Sequence, residues 1–354
     1  DRSVSRGLGD VYKRQIYRRS TDQSISRRNC WIIKRTRAKQ KKKTGKKKEY
    51  TLGKRVLIIG GAGFIGTNLS EHLIKSNMEV FCFDMSVPAK KVEGVRYICG
   101  DFFDDYSLME ALEGIDYVVH ALSTVNPGNS NEKYLQGYER DFIQTTKLCK
   151  MIVDKKIRMI FLSSGGTVYG NQEIQPISED ALPRPINHYG NVKLCIENTI
   201  RTFNYQAHTK ILIARISNPY GPGQDFNKGV GFIDAALKKT IKEEKIEIWG
   251  DGNNIRDYIY IDDVCRMLMV LFTYNGEFDT FNLSSNVGTS QRDIIEMLQE
   301  MGLKPQVEYL LARSVDAKKI ILNNGRIMSV HKNALIPIRD GLREYYDWLL
   351  QKKI

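Results

Sequence analysis

Val56-Leu57-Ile58-Ile59-Gly60-Gly61-Ala62-Gly63-Phe64-Ile65-Gly66 decides the fold. Four consecutive apolar residues read as a strand buried on both faces, as in a parallel sheet. The glycines form a tight turn, and Phe64 and Ile65 open a helix. Gly60 lets the chain reverse, Gly63 clears room for a pyrophosphate, and Gly66 lets helix and strand pack closely. Phosphates seated there meet the free N–H groups and the positive dipole end of the helix.

The next strand, Glu79-Val80-Phe81-Cys82-Phe83-Asp84, ends in a carboxylate 18 residues after Gly66. Asp84 can accept hydrogen bonds from an adenosine ribose. A 2′-phosphate would meet a like charge, and Met85, Ser86, Val87 and Pro88 supply no Arg to receive it. NAD is therefore expected rather than NADP. The plainer alternative is an ordinary βαβ turn with a surface Asp. The strand–turn–helix context and the spacing weigh against it.

The chain has 354 residues, enough for two domains. Its formal charge of +13 would fit a nucleic-acid binder. The distribution excludes that reading for most of the chain. Residues 1–50 hold 18 Lys and Arg against 4 Asp and Glu, which leaves 36 against 37 of the chain's 54 and 41. That tail has little periodicity and is expected to be disordered. Its lysine runs suit RNA or anionic lipid. Yet Asp10-Val11-Tyr12-Lys13-Arg14-Gln15 resembles the translation of a transposase adapter, so the tail is read as artefactual and set aside. No apolar run reaches membrane-spanning length. Cys30, Cys82, Cys99, Cys149, Cys195 and Cys265 show no metal-like spacing. Cys82 and Cys99 are expected to be buried thiols. A reducing, cytoplasmic setting is expected, with no metal and neither membrane nor nucleic acid as partner.

Beyond Asp84, strands are expected at Val95–Ile98, Asp116–His120 and Arg158–Leu162. Helices are expected at about 106–112 and 131–155. Strands and helices alternating at this rhythm make a doubly wound parallel Rossmann sheet, an α/β fold. Ligands of such sheets bind at the C-terminal strand edge. That edge carries Asp101, Phe102, Ala121, Leu122 and Ser163, which are candidate cofactor contacts together with Gly60, Gly63, Phe64, Ile65, Gly66 and Asp84. His120 is read as a satisfied strand-end histidine rather than a catalytic one.

Ser163-Ser164-Gly165-Gly166-Thr167-Val168-Tyr169-Gly170 and Tyr189-Gly190-Asn191-Val192-Lys193 follow in order. With Gly60, Gly63, Gly66 and Asp84 they make the chain resemble the extended short-chain dehydrogenase/reductases. Within these it is similar to the NAD-dependent epimerase/dehydratase family, UDP-glucose 4-epimerase type, over about residues 54–350. Tyr189 and Lys193 lie four apart and share a helix face. A free tyrosine, with a pKa of about 10, is a poor base. An adjacent ammonium and an oxidised nicotinamide are expected to lower that pKa.

The resemblance implies that Tyr189 takes the proton of a sugar 4-hydroxyl while C4 passes hydride to tightly held NAD. The 4-keto sugar turns over, and inversion at C4 follows with no net redox. The family's usual Ser or Thr, four residues before the Tyr of Val-Tyr-Gly, is Gly165 here. Thr167, and next Ser164, are the hydroxyls available. Dehydratases of the family carry Asp-Glu where this chain has Gly166 and Thr167, so elimination lacks its proton donor. Asp141 stands where the family usually has Asn.

In the second half the resemblance assigns Asn218 and Arg256 to the substrate diphosphate, a planar guanidinium suiting bidentate contacts. It places Val230 among the substrate contacts, while Trp249 either offers a flat face near a uracil or is a core residue. Arg313 is assigned to phosphate, and Asp316 to ribose or support. Asp262 or Asp263 is expected to cap a helix. The expected division is a Rossmann domain at 51–217, rejoined by about 257–275, and a smaller α/β substrate domain at 218–256 and 276–354. The implied protein is a homodimeric UDP-sugar 4-epimerase serving surface-polysaccharide assembly. The rivals are a 4,6-dehydratase or 4-ketoreductase of the same family, a non-catalytic NAD-sensing regulator, and a nucleic-acid binder acting through the tail.

Overall fold

The computed structural model describes residues 53–88, 90–225, 231–311 and 317–352. The tail at 1–50 and the expected contacts Val230, Arg313 and Asp316 lie outside the described residues.

β1 (Arg55–Ile59) has Val56, Leu57, Ile58 and Ile59 wholly buried, as a strand covered on both faces requires. It leads into α1 (Phe64–Lys75), which buries Gly66, Leu69, Ser70 and Leu73. That spacing puts one helix stripe against the sheet. β2 (Glu79–Asp84), β3 (Arg96–Cys99), α2 (Asp105–Ala111) and β4 (Tyr117–His120) follow. The helix expected at 131–155 is real from Tyr134 but interrupted. A short α turn, Tyr134–Gln136, runs into a π-helical stretch, Gly137–Phe142, and only then into α3 (Ile143–Lys155). Next come β5 (Arg158–Ser164), the helical turn Gly165–Val168, α4 (His188–Ala207) and β6 (Leu212–Ile216).

Seven parallel strands pair in the order β10-β6-β5-β4-β1-β2-β3. The seventh strand, β10, is Thr280–Leu283, paired with β6 in register Phe281 to Ala214. The return was expected at 257–275. Ile261–Leu271 does form a helix, α6 below, that packs on α1, but the sheet also takes Thr280–Leu283, a four-residue strand of alternating polar and apolar residues whose pairing only tertiary structure reveals. The strand order reverses at β1, between β2 and β4, which opens a crevice at their C-terminal ends. Val56 and Ile58 belong to the core under α1 and α6, while Leu57 and Ile59 belong to the core under α2, α3 and α4.

The remaining elements are β7 (Asn218–Tyr220), α5 (Phe232–Ile241), β8 (Lys245–Trp249), β9 (Ile255–Tyr260), α6 (Ile261–Leu271), β11 (Gly288–Ser290), α7 (Gln291–Glu300), β12 (Gln306–Leu310), β13 (Lys319–Ile320), the helical turn Gly325–Met328 and α8 (Ile338–Gln351). Among the described residues β9 pairs with β7, β11 and β13, and β12 pairs with β8. A separate core gathers Tyr220, Leu237, Ile248, Leu298 and Tyr345. Neither Asp262 nor Asp263 caps α6. Tyr260 holds the cap position without a side-chain bond, and both acids lie in the first turn. Asp262 instead pairs with His72 at 2.7 Å, and Asp263 accepts from Ile336 N at 2.8 Å. Cys82 is buried, but Cys99 is exposed because β3 is the sheet edge. No helix among the described residues is long and apolar enough to cross a membrane.

Candidate active site

The crevice at the strand-order reversal opens into a cavity of about 560 Å³. Gly60, Gly63, Phe64, Ile65 and Gly66 form one wall, and Ala121, Ser163, Ser164 and Thr167 continue it. Tyr189, Lys193, Asn218 and Arg256 also line it. A neighbouring cavity of about 220 Å³ shares Asn218 and Arg256 and adds Trp249. Residues drawn from opposite ends of the sequence thus meet in one place.

The glycine wall fits a dinucleotide. Gly60 has φ +80°, and a Cβ there would stand 2.9 Å from Leu122 N, so the exits of β1 and β4 touch. At Gly66 a Cβ would stand 2.8 Å from Gly60 O, so only glycine lets α1 start this close to the turn. Gly63 precedes α1 and offers no side-chain cap, leaving the helix start to a ligand. Asp84 sits beyond this wall, accepting from Ala62 N at 3.2 Å and Met85 N at 2.8 Å. Its carboxylate is thereby aimed next to the turn.

Besides Asp84, three expected cofactor contacts do not line the cavity. Phe102 is buried in the core, its ring 5.1 Å from that of His120. Asp101 is exposed and accepts from Phe103 N at 3.0 Å. Leu122 approaches Gly60 through its backbone and packs on the core below. These residues bound the crevice rather than face into it.

Asn187 caps α4 by accepting from Gly190 N at 2.8 Å, which starts the helix just before Tyr189. One turn later Lys193 is 3% exposed, donates to Leu162 O at 3.1 Å and lies 4.8 Å over the Phe161 ring. Its ammonium stands 5.5 Å from the Tyr189 ring centre. Burial pulls the Lys193 pKa down to about 8, against the opposing pull of Asp141 and Glu197. The Tyr189 phenol is pushed up, by burial first and by Asp141 second. The Lys193 ammonium donates to the Leu162 carbonyl.

Ser164 precedes the helical turn Gly165–Val168 in extended conformation. A Cβ at Gly165 would stand 2.2 Å from Leu322 Cδ1, so a Ser cannot be set there without moving Leu322. Thr167 Oγ1 is buried, has no hydrogen-bond partner among the described residues, and belongs to a residue lining the cavity. A buried hydroxyl left so is a seat for a ligand's polar group. Asn218 donates to Asp257 O at 3.1 Å. His120 lies outside the cavity lining, its Nε2 2.8 Å from Thr145 Oγ1, and burial brings its pKa down to about 3, so it stays neutral.

The sequence reading missed several lining residues: Asn126, Asn131, Asn187 and Gln224. Asn187 alone carried a signal, an Asn just ahead of a helical stretch.

The sequence model of the NAD dependent epimerase/dehydratase family matches residues 56–284. A putative UDP-glucose 4-epimerase of Methanocaldococcus jannaschii is 26% identical over 300 residues, 83% of this chain and 98% of that protein. The dTDP-4-dehydro-6-deoxyglucose reductase of Escherichia coli is 29% identical, over 77% of this chain and 90% of its own. The structure of UDP-glucuronic acid 4-epimerase from Bacillus cereus, solved with UDP-glucuronic acid and NAD, superposes with a TM-score of 0.77 at 26% identity, covering 84% of this chain and 99% of that one. With the family's sequence pattern running from β1 through β10, and the crevice, glycine turn and Tyr–Lys helix all in place, the chain belongs to the NAD dependent epimerase/dehydratase family.

Proposed function

We propose that the protein is an NAD-dependent nucleotide-sugar 4-epimerase acting on UDP-linked hexoses. The observation that carries this reading is the convergence of the glycine turn, the Tyr189–Lys193 pair and the Asn218–Arg256 mouth on one cavity. Gly60, Gly63, Phe64, Ile65 and Gly66 hold the cofactor's pyrophosphate, and Asp84 its adenosine ribose. NAD bound there supplies a reversible hydride acceptor for one sugar carbon.

The protein's own groups then have distinct tasks. Tyr189 takes the proton of the sugar 4-hydroxyl and later returns it to the same oxygen, once the 4-keto sugar has turned to present the other face of C4. Lys193 fixes the nicotinamide ribose and holds positive charge beneath the phenol. Thr167 orients the 4-hydroxyl through its unpartnered Oγ1, with Ser164 beside it on the wall. Arg256 and Asn218 hold the diphosphate, and Trp249 in the smaller cavity takes the base. The proposal includes a cofactor half built on the seven-stranded sheet, a substrate half built on β7–β9 and α5, and a cytoplasmic homodimer.

The named relatives support chemistry at sugar position 4, whether as epimerase or as reductase. A 4-ketoreductase is the second reading, favoured by the likeness to the E. coli reductase. A dehydratase is not favoured, since Gly166 and Thr167 offer no carboxylic acid beside the site. The purified protein, given UDP-glucose or UDP-N-acetylglucosamine without added reductant, is expected to form the 4-epimer, seen by NMR. Tyr189→Phe is expected to lose activity by roughly a hundredfold or more. Turnover of a 4-keto sugar with stoichiometric loss of NADH would select the reductase instead, and full activity in Tyr189→Phe would remove the mechanism.

A further inference from the structure

The π-helical stretch Gly137–Phe142 carries a buried carboxylate that the reaction as described leaves unused. Asp141 is 3% exposed. It accepts from Ser123 Oγ at 2.7 Å, from Thr124 N at 2.9 and 3.1 Å, and from Thr124 Oγ1 at 2.7 Å. Three neutral donors thus reach both oxygens of a buried carboxylate, the Thr124 N–H being shared between them. Among the described residues no Lys or Arg hydrogen-bonds to it. Ser123 is itself part of the cavity wall. The same π stretch grips α4 from the other side. Tyr138 hydroxyl lies 3.1 Å from His188 Nδ1 and accepts from Asn191 Nδ2 at 2.8 Å, on either side of Tyr189. π turns cost regularity and often mark functional positions.

We propose that Asp141 is a positioning residue of this site: a buried anion that pins the Ser123–Thr124 wall and sets the charge felt by Tyr189 and Lys193. The inference rests on the catalytic reading of that pair. The titratable groups whose charge it influences are Tyr189 and Lys193 on α4, where Glu197 lies one turn beyond. His120 at the end of β4 is neutral, and His188 is tied to Tyr138. On its own stretch Glu139 is exposed, and Arg140 lies 3.9 Å over the Phe103 ring. The anion balances the Lys193 ammonium, so the phenol stays protonated until further positive charge arrives in the cavity. Its pull on both groups is upward: it favours the neutral phenol and the charged ammonium.

The test is the pH dependence of kcat/KM in Asp141→Asn. Loss of the anion lowers both pKa values, so both limbs of the profile move to lower pH, each on the order of one unit. Ser123→Ala removes one clamp bond but keeps the charge, and its limbs stay in place. An Asp141→Asn protein that is weakened but titrates at wild-type pH makes the residue merely structural and overturns the proposal. If Asp141→Asn does not fold, the wild type still decides. Its phenolate absorbance without cofactor, taken against Tyr189→Phe, is expected to appear only above the ordinary tyrosine value of about 10. Phenolate appearing below that value overturns the charge assignment. If instead both proteins titrate as expected but no UDP-sugar is epimerised, the proposed function fails and the role of Asp141 stands.

Discussion

Lys193 holds its ammonium 5.5 Å from the centre of the Tyr189 ring while donating to the carbonyl of Leu162 at 3.1 Å. The cation thus sits under the phenol's face, anchored to strand β5, instead of bonding its oxygen. This geometry makes Lys193 a fixed charge whose ionisation limits activity on the alkaline side. Burial has brought its pKa down to about 8, so the charge is present below that pH and lost as pH rises through it. Activity is expected to fall above pH 8 for the wild type. Lys193→Met, with no charge at any pH, should lose roughly a hundredfold in kcat or more and show no such alkaline limb. A pH series of initial rates checks both.

Position 165 is closed to a side chain by Leu322. Gly165→Ser should cost about 1–3 kcal/mol of stability through overpacking. Adding Leu322→Ala to it should restore part of that loss by making room, even though Leu322→Ala alone is destabilising. Urea unfolding of the two single variants and the double variant measures the coupling. Additive losses would mean that the Cβ finds another place.

Glu197 is wholly buried, one turn beyond Lys193. It binds Arg215 at 2.6 Å, accepts from Ser163 Oγ at 2.6 Å, and meets the half-exposed Arg201 at 3.1 Å. Arg215→Met should cost about 3–5 kcal/mol, because a buried carboxylate loses its main partner. Replacing both residues together, Arg215→Met with Glu197→Leu, should recover a large part. Equal losses in single and double variants, read by denaturant unfolding, would contradict this.

His72 on α1 and Asp262 on α6 join the glycine-turn helix to the returning chain, 2.7 Å apart. The hydrogen bond to Asp262 raises the His72 pKa above its ordinary 6.5, and the same bond lowers Asp262 below 3.8. The His72 share of stability is full below pH 6.5 and fades as pH rises through its raised value. The Asp262 share is full above pH 3.8 and fades as pH falls through its lowered value. Both are present between those limits. The stability difference between wild type and Asp262→Asn should therefore peak there and shrink toward alkaline pH, as unfolding curves across pH would show. Both side chains are partly exposed, so the effect is a modest one.

The parts that were legible in the sequence are those whose physics is local. Val56–Gly66 carries its strand, turn and helix within eleven consecutive positions, and Tyr189 and Lys193 share a face by helical spacing alone. The Asp141 clamp joins residues 17 and 18 positions apart through an irregular helical turn, which no periodic pattern announces. Thr280–Leu283 is only four residues of alternating polar and apolar character, and only the open edge of β6 makes it part of the large sheet. Asp262 and Asp263 look like caps in sequence. Partners on α1, within α6 and ahead of α8 claim them instead, at separations of up to 190 residues. Cys99 follows an apolar stretch like Cys82, yet lies on the last strand, where one side has no neighbour.

The central claim is that the sugar is oxidised and restored at one carbon without leaving the cavity. A UDP-hexose carrying deuterium at C4 tests it most directly, with product analysed by NMR in ordinary water. The account predicts a 4-epimer that keeps its deuterium at C4, because the label leaves one face of C4 and returns to the other without exchanging with water. A 4-epimer in which solvent hydrogen replaces the label would contradict it.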